Sequence, residues 1–364
     1  MVKKFVPTTI ISLVMVLLGS QQSRAQDLYF PPSEGIWETI SHEKAGFDKQ
    51  RFQAVLDFAQ ANHSSGLVVL YKGRILAEKA WTIEKGSPHS SRRYERMAKG
   101  RTADGQSIED VASVQKSVVS FLAGIAVGQG KLDITKPVST YLGEGWSKAP
   151  LAKEKAITVH HLMSMTSGLN DALDYKTTPG SKWRYNTGSY SRVVLVLESI
   201  FGQSISHITQ KFISQPIGMR DSQWVLRPWA AKIDIANKSG FTTTPRDLAR
   251  FGLMIQAGGK WGDQDILQSP GYLKKSLTSS QKMNPAYGLL WWLNSGKEFR
   301  PPTGTRRSGS MVSTAPSDLV GAMGALGRKV YVVPSLGLVV TRLGNEPEKN
   351  FDSELWKRIM TARN

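Results

Sequence analysis

The chain contains no cysteine. That excludes a thiol nucleophile, a cysteine-based zinc site, an iron–sulfur cluster and any disulfide staple. Acidic residues are sparse, 29 Asp and Glu against 47 Lys and Arg, for a net charge of +18. After the first 25 residues no uncharged apolar run is long enough to cross a bilayer, which takes about 20 residues. Several catalytic signatures are also missing. There is no Gly-x-Ser-x-Gly elbow and no His-Glu-x-x-His, and Gly130-Lys131 is followed by Leu132, so no phosphate-binding P-loop is present. The six histidines are scattered apart from His160-His161. Neighbours on a helix point about 100° apart and chelate poorly, so each histidine reads as structural.

What is present is a chain of 364 residues, 40% of them hydrophobic. That is enough for one large domain or two intimate lobes. Residues 1–25 read as a secretory leader, with Lys3 and Lys4 at the start, an apolar run from Ile10 to Leu18, and Ser23-Arg24-Ala25 before a cut at Gln26. The expected location is therefore periplasmic or extracellular. The leader takes three cationic residues with it, leaving +15 on the mature chain. Such a surface suits weak association with anionic envelope components, lipid head groups or acidic wall polymers. No nucleic-acid recognition motif accompanies the charge, and no nucleic-acid partner is expected.

Both ends of the mature chain predict hairpins. Leu67–Tyr71 and Ile75–Ala77 flank a Lys72-Gly73 turn, and Lys329–Val333 and Leu338–Thr341 flank a turn at Pro334–Gly337. A helix over 48–61, capped by Asp48, places Phe52, Val55, Leu56 and Ala59 on one face. A closing helix over 351–362 offers Leu355, Ile359 and Met360 to the core. The middle reads as helices and loops, with helices at Val114–Val127 and Ser191–Ile200, and the arginine-bearing stretch 82–108 reads as a long surface loop. The pattern predicts an α+β fold: an antiparallel sheet lobe from 26–110 and 231–364, flanked by helices, with an inserted helical lobe at 111–230.

Ser113-Val-Gln-Lys116 fits Ser-x-x-Lys, as do Ser41–Lys44 and Ser279–Lys282. Context separates them. Ile108–Ala112 looks like a strand entering an apolar helix with Val114, Val118, Leu122 and Ile125 as its buried stripe. Ser113 then lies at a helix N-terminus, where free N–H groups favour an oxyanion, and Lys116 falls on the same face. The ammonium can lower the pKa of a neighbouring hydroxyl, or the amine can act as base if burial depresses its own pKa. On this local pattern alone, an ordinary helix-capping serine remains an equal alternative.

Ser113–Lys116 with its helix, followed by Gly130-Lys-Leu-Asp133, resembles the nucleophile region of the serine β-lactamase and penicillin-binding-protein superfamily. The similarity is strongest to the class C-type branch, with its family VIII carboxylesterases and 6-aminohexanoate-dimer hydrolases. Thr158–Gly168, Pro179-Gly180 with Tyr185, Gly240–Gly252, Tyr287–Trp292 and Tyr331–Val340 agree in order, so the resemblance covers about 60–344. It implies a β-lactamase/transpeptidase-like fold and an acyl-enzyme on Ser113, with Tyr185 as general base acidified by Lys116. It further implies an oxyanion hole from the N–H groups of Ser113 and Ala325, beside Gly324. No metal or organic cofactor is implied.

Two departures from the family pattern carry consequences. The tyrosine motif reads Tyr185-Asn186-Thr187 in place of Tyr-Ser/Ala-Asn, so either Asn186 or Thr187 supplies the polar group. The third motif reads Ala322-Met323-Gly324 in place of a Lys or His motif, with no cation unless Arg328 or Arg342 compensates. Small residues at 322 and 325 also leave room beside the nucleophile. Loss of that cation favours esters or small amides over β-lactams, since a charge-assisted hydrogen bond is worth about 1.5–3 kcal/mol. The expected substrate is a small ester, amide or peptide-like molecule. The alternatives are a D-alanyl-D-alanine carboxypeptidase or class C-like β-lactamase, an inactive protein binding ligands in the same cleft, and a basic surface-binding protein. Trp183, Trp291 and Trp292 are expected mainly in the core, with a possible lining role for some.

Overall fold

A computed structural model describes residues 28–231, 237–303 and 305–364. The leader at 1–25 lies outside the described residues. In chain order the elements that frame the site are α1 (Lys49–Ala61), β1 (Ser64–Tyr71), β2 (Arg74–Ala80), α2 (Arg92–Met97), β3 (Ala98–Arg101), β4 (Ser107–Asp110) and α3 (Gln115–Gly128). There follow α4 (Thr187–Phe201), β5 (Gln223–Leu226), β6 (Ser239–Thr243), α5 (Pro245–Gln256) and β7 (Trp292–Leu293). The chain closes with β8 (Val320–Gly324), β9 (Arg328–Val333), β10 (Leu338–Gly344) and α6 (Phe351–Thr361).

The two predicted hairpins meet in one six-stranded antiparallel sheet of order β2-β1-β10-β9-β8-β7. Both its faces are covered, so its strands are apolar on both sides. Leu67 and Val69 join Tyr331, Val333 and Val340 against α1 and α6, while Val68 and Leu70 join Val330, Val332 and Val339 on the α3 and α5 side. The alternation is the two-residue period of a strand. Asp48 caps α1 by accepting from Arg51 N at 2.7 Å, and Phe52, Val55, Leu56 and Ala59 are buried. In α6 the buried positions are Phe351, Leu355, Trp356 and Ile359, with Trp356 edge-on to Tyr331; Met360, expected in the core, is only half-buried.

The stretch 82–108 is not a long surface loop. Ser91 caps α2 through Tyr94 N, and β3 and β4 form a hairpin that extends through β6 and β5 into a second, four-stranded sheet. That sheet draws Gln223–Leu226 out of the otherwise helical 111–230 stretch, with Trp224 against Phe241 at 5.5 Å. Within the helical region, Thr158 and His161 form a capping box, and burial lowers the pKa of His161. Burial also pushes His160 down to about 4.

Candidate active site

Ser113 is placed by the junction between the second sheet and α3. β4 ends at Asp110, whose carboxylate accepts from Ala112 N at 2.9 Å and binds Arg227 at both oxygens, 2.6 Å each. The carboxylate holds Ala112 at φ +51°, a left-handed conformation that residues with a Cβ seldom adopt. Ser113 follows in a single 3-10 turn, Ala112–Val114, and α3 begins at Gln115. Gly240 of β6 lies directly over the Asp110–Arg227 pair: a Cβ there would stand 2.2 Å from Asp110 Oδ2.

α3 is buried along nearly its whole length, which carries Lys116 into the interior. Its Nζ donates to Ser113 Oγ at 3.2 Å and to Thr187 Oγ1 at 3.3 Å. It also lies over two phenol rings, Tyr190 at 4.5 Å and Tyr185 at 5.1 Å. Burial pulls the Lys116 amine down to about 7; the nearby Arg227 charge acts the same way and Asp171 opposes it. Tyr185 shares a hydrogen bond with Ser113, but burial outweighs this and pushes its phenol up to about 12. The expected acidified phenol is therefore not what the surroundings produce. Tyr185 stacks on Trp292 at 6.0 Å, with Tyr287 and Trp183 also against it, so the ring is desolvated on most sides. Trp183 and Trp292 thus pack around Tyr185, while Trp291 is fully buried in the core.

The ambiguity at Asn186-Thr187 is resolved by helix capping. Asn186 caps α4, its Oδ1 accepting from Ser189 N at 2.9 Å and its Nδ2 donating to Leu169 O at 2.8 Å. Both ends of the amide are consumed and the residue is buried, so Asn186 does not face Lys116. Thr187, the first residue of α4, does.

Gly324 ends β8 against the Ser113 turn. A Cβ at 324 would stand 2.3 Å from Val111 O and 3.3 Å from Ser113 N, so only glycine permits this approach. Ala325 follows and lines the same cavity as Ser113, whereas Ala322 is fully buried and is not among the residues that line it. Neither Arg328 nor Arg342 replaces the missing cation. Arg328 is fully buried, paired with Glu109 at 2.6 Å, and donates to Ala325 O at 3.2 Å. Arg342, also buried, donates to Leu326 O at 2.6 Å and to Asn62 O at 2.7 Å. Both arginines hold the turn after β8 from behind.

The cavity at Ser113 measures about 350 Å³ and is lined by Arg93, Arg96, Met97, Ala112, Arg227, Trp229, Asn237 and Ala325. Sequence reasoning did not find Arg227, Asp110, Arg93 or Arg96. The only local signal was the clustering of arginines in 92–101. Among the described residues no three of His, Asp or Glu converge as a metal-binding group.

The profile of the beta-lactamase family matches residues 49–363, and the chain belongs to that family. It is a beta-lactamase-family hydrolase with a β-lactamase/transpeptidase-like fold. Among relatives, an uncharacterised protein from Alkalihalophilus pseudofirmus is 22% identical over 306 residues, covering 77% of this chain and 83% of the relative. Esterase EstB from Burkholderia gladioli is 26% identical over 160 residues, 35% of this chain and 41% of EstB. A protein from Bacillus anthracis, provisionally assigned as a 6-aminohexanoate-dimer hydrolase, superposes with a TM-score of 0.64 at 16% identity, covering 92% of this chain and 89% of its own.

Proposed function

We propose that the protein cleaves an ester or small amide through an acyl-enzyme on Ser113, with Lys116 as the proton acceptor. One observation carries the reading: an amine 3.2 Å from the serine hydroxyl, in surroundings that bring its pKa to about 7. A neutral amine at that distance takes the serine proton as Oγ attacks the acyl carbon. The carbonyl electron pair moves to the oxygen, which the N–H groups of Ser113 and Ala325 stabilise. Collapse of the tetrahedral intermediate expels the alcohol or amine, protonated from the Lys116 ammonium or from the Tyr185 hydroxyl in the same network. Water then attacks the acyl-enzyme by the reverse roles. The resemblance assigns the base role to Tyr185; the raised phenol pKa supports Lys116 instead. Esterase EstB supports the ester reading at the level of family likeness.

The test compares mature protein with Ser113→Ala on 4-nitrophenyl butanoate and a chromogenic cephalosporin. Ester turnover that disappears in the variant, with little cephalosporin cleavage, is the expected result. Cephalosporin turnover equal to or faster than ester turnover would make it a β-lactamase. Equal activity of the two proteins would remove Ser113 from the chemistry. We place the mature protein outside the cytoplasm on the leader at 1–25; N-terminal sequencing beginning at Gln26 is the expected check.

A further inference from the structure

We propose that Arg93 and Arg96 form a carboxylate-recognition subsite in the Ser113 cavity, so that the preferred ester or amide carries a free carboxylate. The inference rests on the hydrolase reading above and names its substrate class. Three guanidinium groups line the cavity, and among the described residues no acidic one does. Arg227 is spent on Asp110, with two 2.6 Å contacts. Arg93 and Arg96 are exposed, and their side chains have no hydrogen-bond or ion-pair partner among the described residues. Three residues apart on α2, they lie on one face, where two planar forks can grip one carboxylate.

The rest of α2 is built to hold them there. Tyr94 between them is buried, and Ser91 caps the helix start. Glu95, the nearest carboxylate in sequence, is occupied elsewhere: its Oε1 accepts from Gly86 N at 2.9 Å and Ser90 Oγ at 3.1 Å. Among the described residues Arg93 and Arg96 are thus left without an internal counter-charge. The third-motif position holds a buried Ala322, so a substrate anion finds its cation on α2 rather than on β8.

The experiment measures kcat/KM for two matched pairs. On the acyl side these are mono-4-nitrophenyl adipate and 4-nitrophenyl hexanoate; on the alcohol side, 4-butanoyloxybenzoate and phenyl butanoate. Wild type is expected to prefer the anionic member of at least one pair by about 10–100-fold. That ratio is expected to fall at least about tenfold in Arg93→Gln/Arg96→Gln, mainly through KM, and to fall with added salt. Adipate is also titrated calorimetrically into Ser113→Ala with and without the two arginine substitutions. This arm does not depend on turnover: arginine-dependent binding there, with no ester hydrolysis by wild type, would sink the hydrolase reading and keep the subsite. Hydrolysis with no anionic preference in either pair, together with no arginine-dependent adipate binding, would overturn the subsite and leave the hydrolase reading standing.

Discussion

Arg227 grips Asp110 through two hydrogen bonds of 2.6 Å, although 117 positions separate them in sequence. The pair is buried, and the same carboxylate fixes Ala112 immediately before Ser113. The Ser113 turn is therefore held by a charge pair beside the second sheet rather than by α3 alone. Removing one partner leaves an uncompensated buried charge. Arg227→Met is expected to lower unfolding free energy by about 3–5 kcal/mol, and the Asp110→Asn/Arg227→Gln double variant by less than that. Urea denaturation checks this; a loss under about 1 kcal/mol for Arg227→Met would show the pair to be solvated.

The pH profile follows from Lys116. Below its pKa of about 7 the amine is an ammonium and cannot accept the serine proton, so kcat/KM should rise through that pH and then level off. Tyr185, at about 12, should stay protonated across the plateau. A profile falling rather than rising near pH 7 would contradict the assignment.

Stability carries the same signature. Lys116 drops from 10.5 to about 7 on folding, so between those values the unfolded chain holds more of the proton. Unfolding free energy should therefore rise with pH across that window. Lys116→Met should flatten the rise, and should lower kcat by about 10²–10⁴-fold as the base is lost. Denaturation series at pH 7 and pH 10 on both proteins measure the difference.

Thr187 supplies the second acceptor for Lys116 Nζ. Thr187→Val should lower kcat/KM by about 3–10-fold, the worth of one neutral hydrogen bond, and Thr187→Ser should restore most of it. Asn186→Ala should instead cost stability, through the lost cap of α4, by about 1 kcal/mol or more.

Gly324→Ala probes the approach of β8 to Ser113. With a Cβ 2.3 Å from Val111 O, the strand must shift, carrying Ala325 N–H out of place. A drop in kcat of about 10²–10³-fold, with KM much less affected, is the expected outcome.

Much of this was legible in the sequence. The hairpins announce themselves by apolar, β-branched runs flanking turn residues, α1 by its cap and one-faced apolar pattern, and Ser113 with Lys116 by an apolar helix following a strand-like stretch. Other features had no local signal. α2, β3 and β4 span only six, four and four residues, too short for a period to rise above a polar, arginine-rich stretch. Asp110 and Arg227 are joined only by tertiary pairing. Asn186 and Thr187 differ by which residue caps α4, a choice fixed by contacts to Leu169 and Ser189. The direction of the Tyr185 shift depends on Trp183, Tyr287 and Trp292, which come together only in the fold.

Acid-quench mass mapping during turnover of 4-nitrophenyl butanoate tests the proposed acyl-enzyme on Ser113. The expected result is a butanoyl adduct on the peptide containing Ser113 that is absent from Ser113→Ala. An adduct on another residue, or ester turnover undiminished in Ser113→Ala, would contradict it.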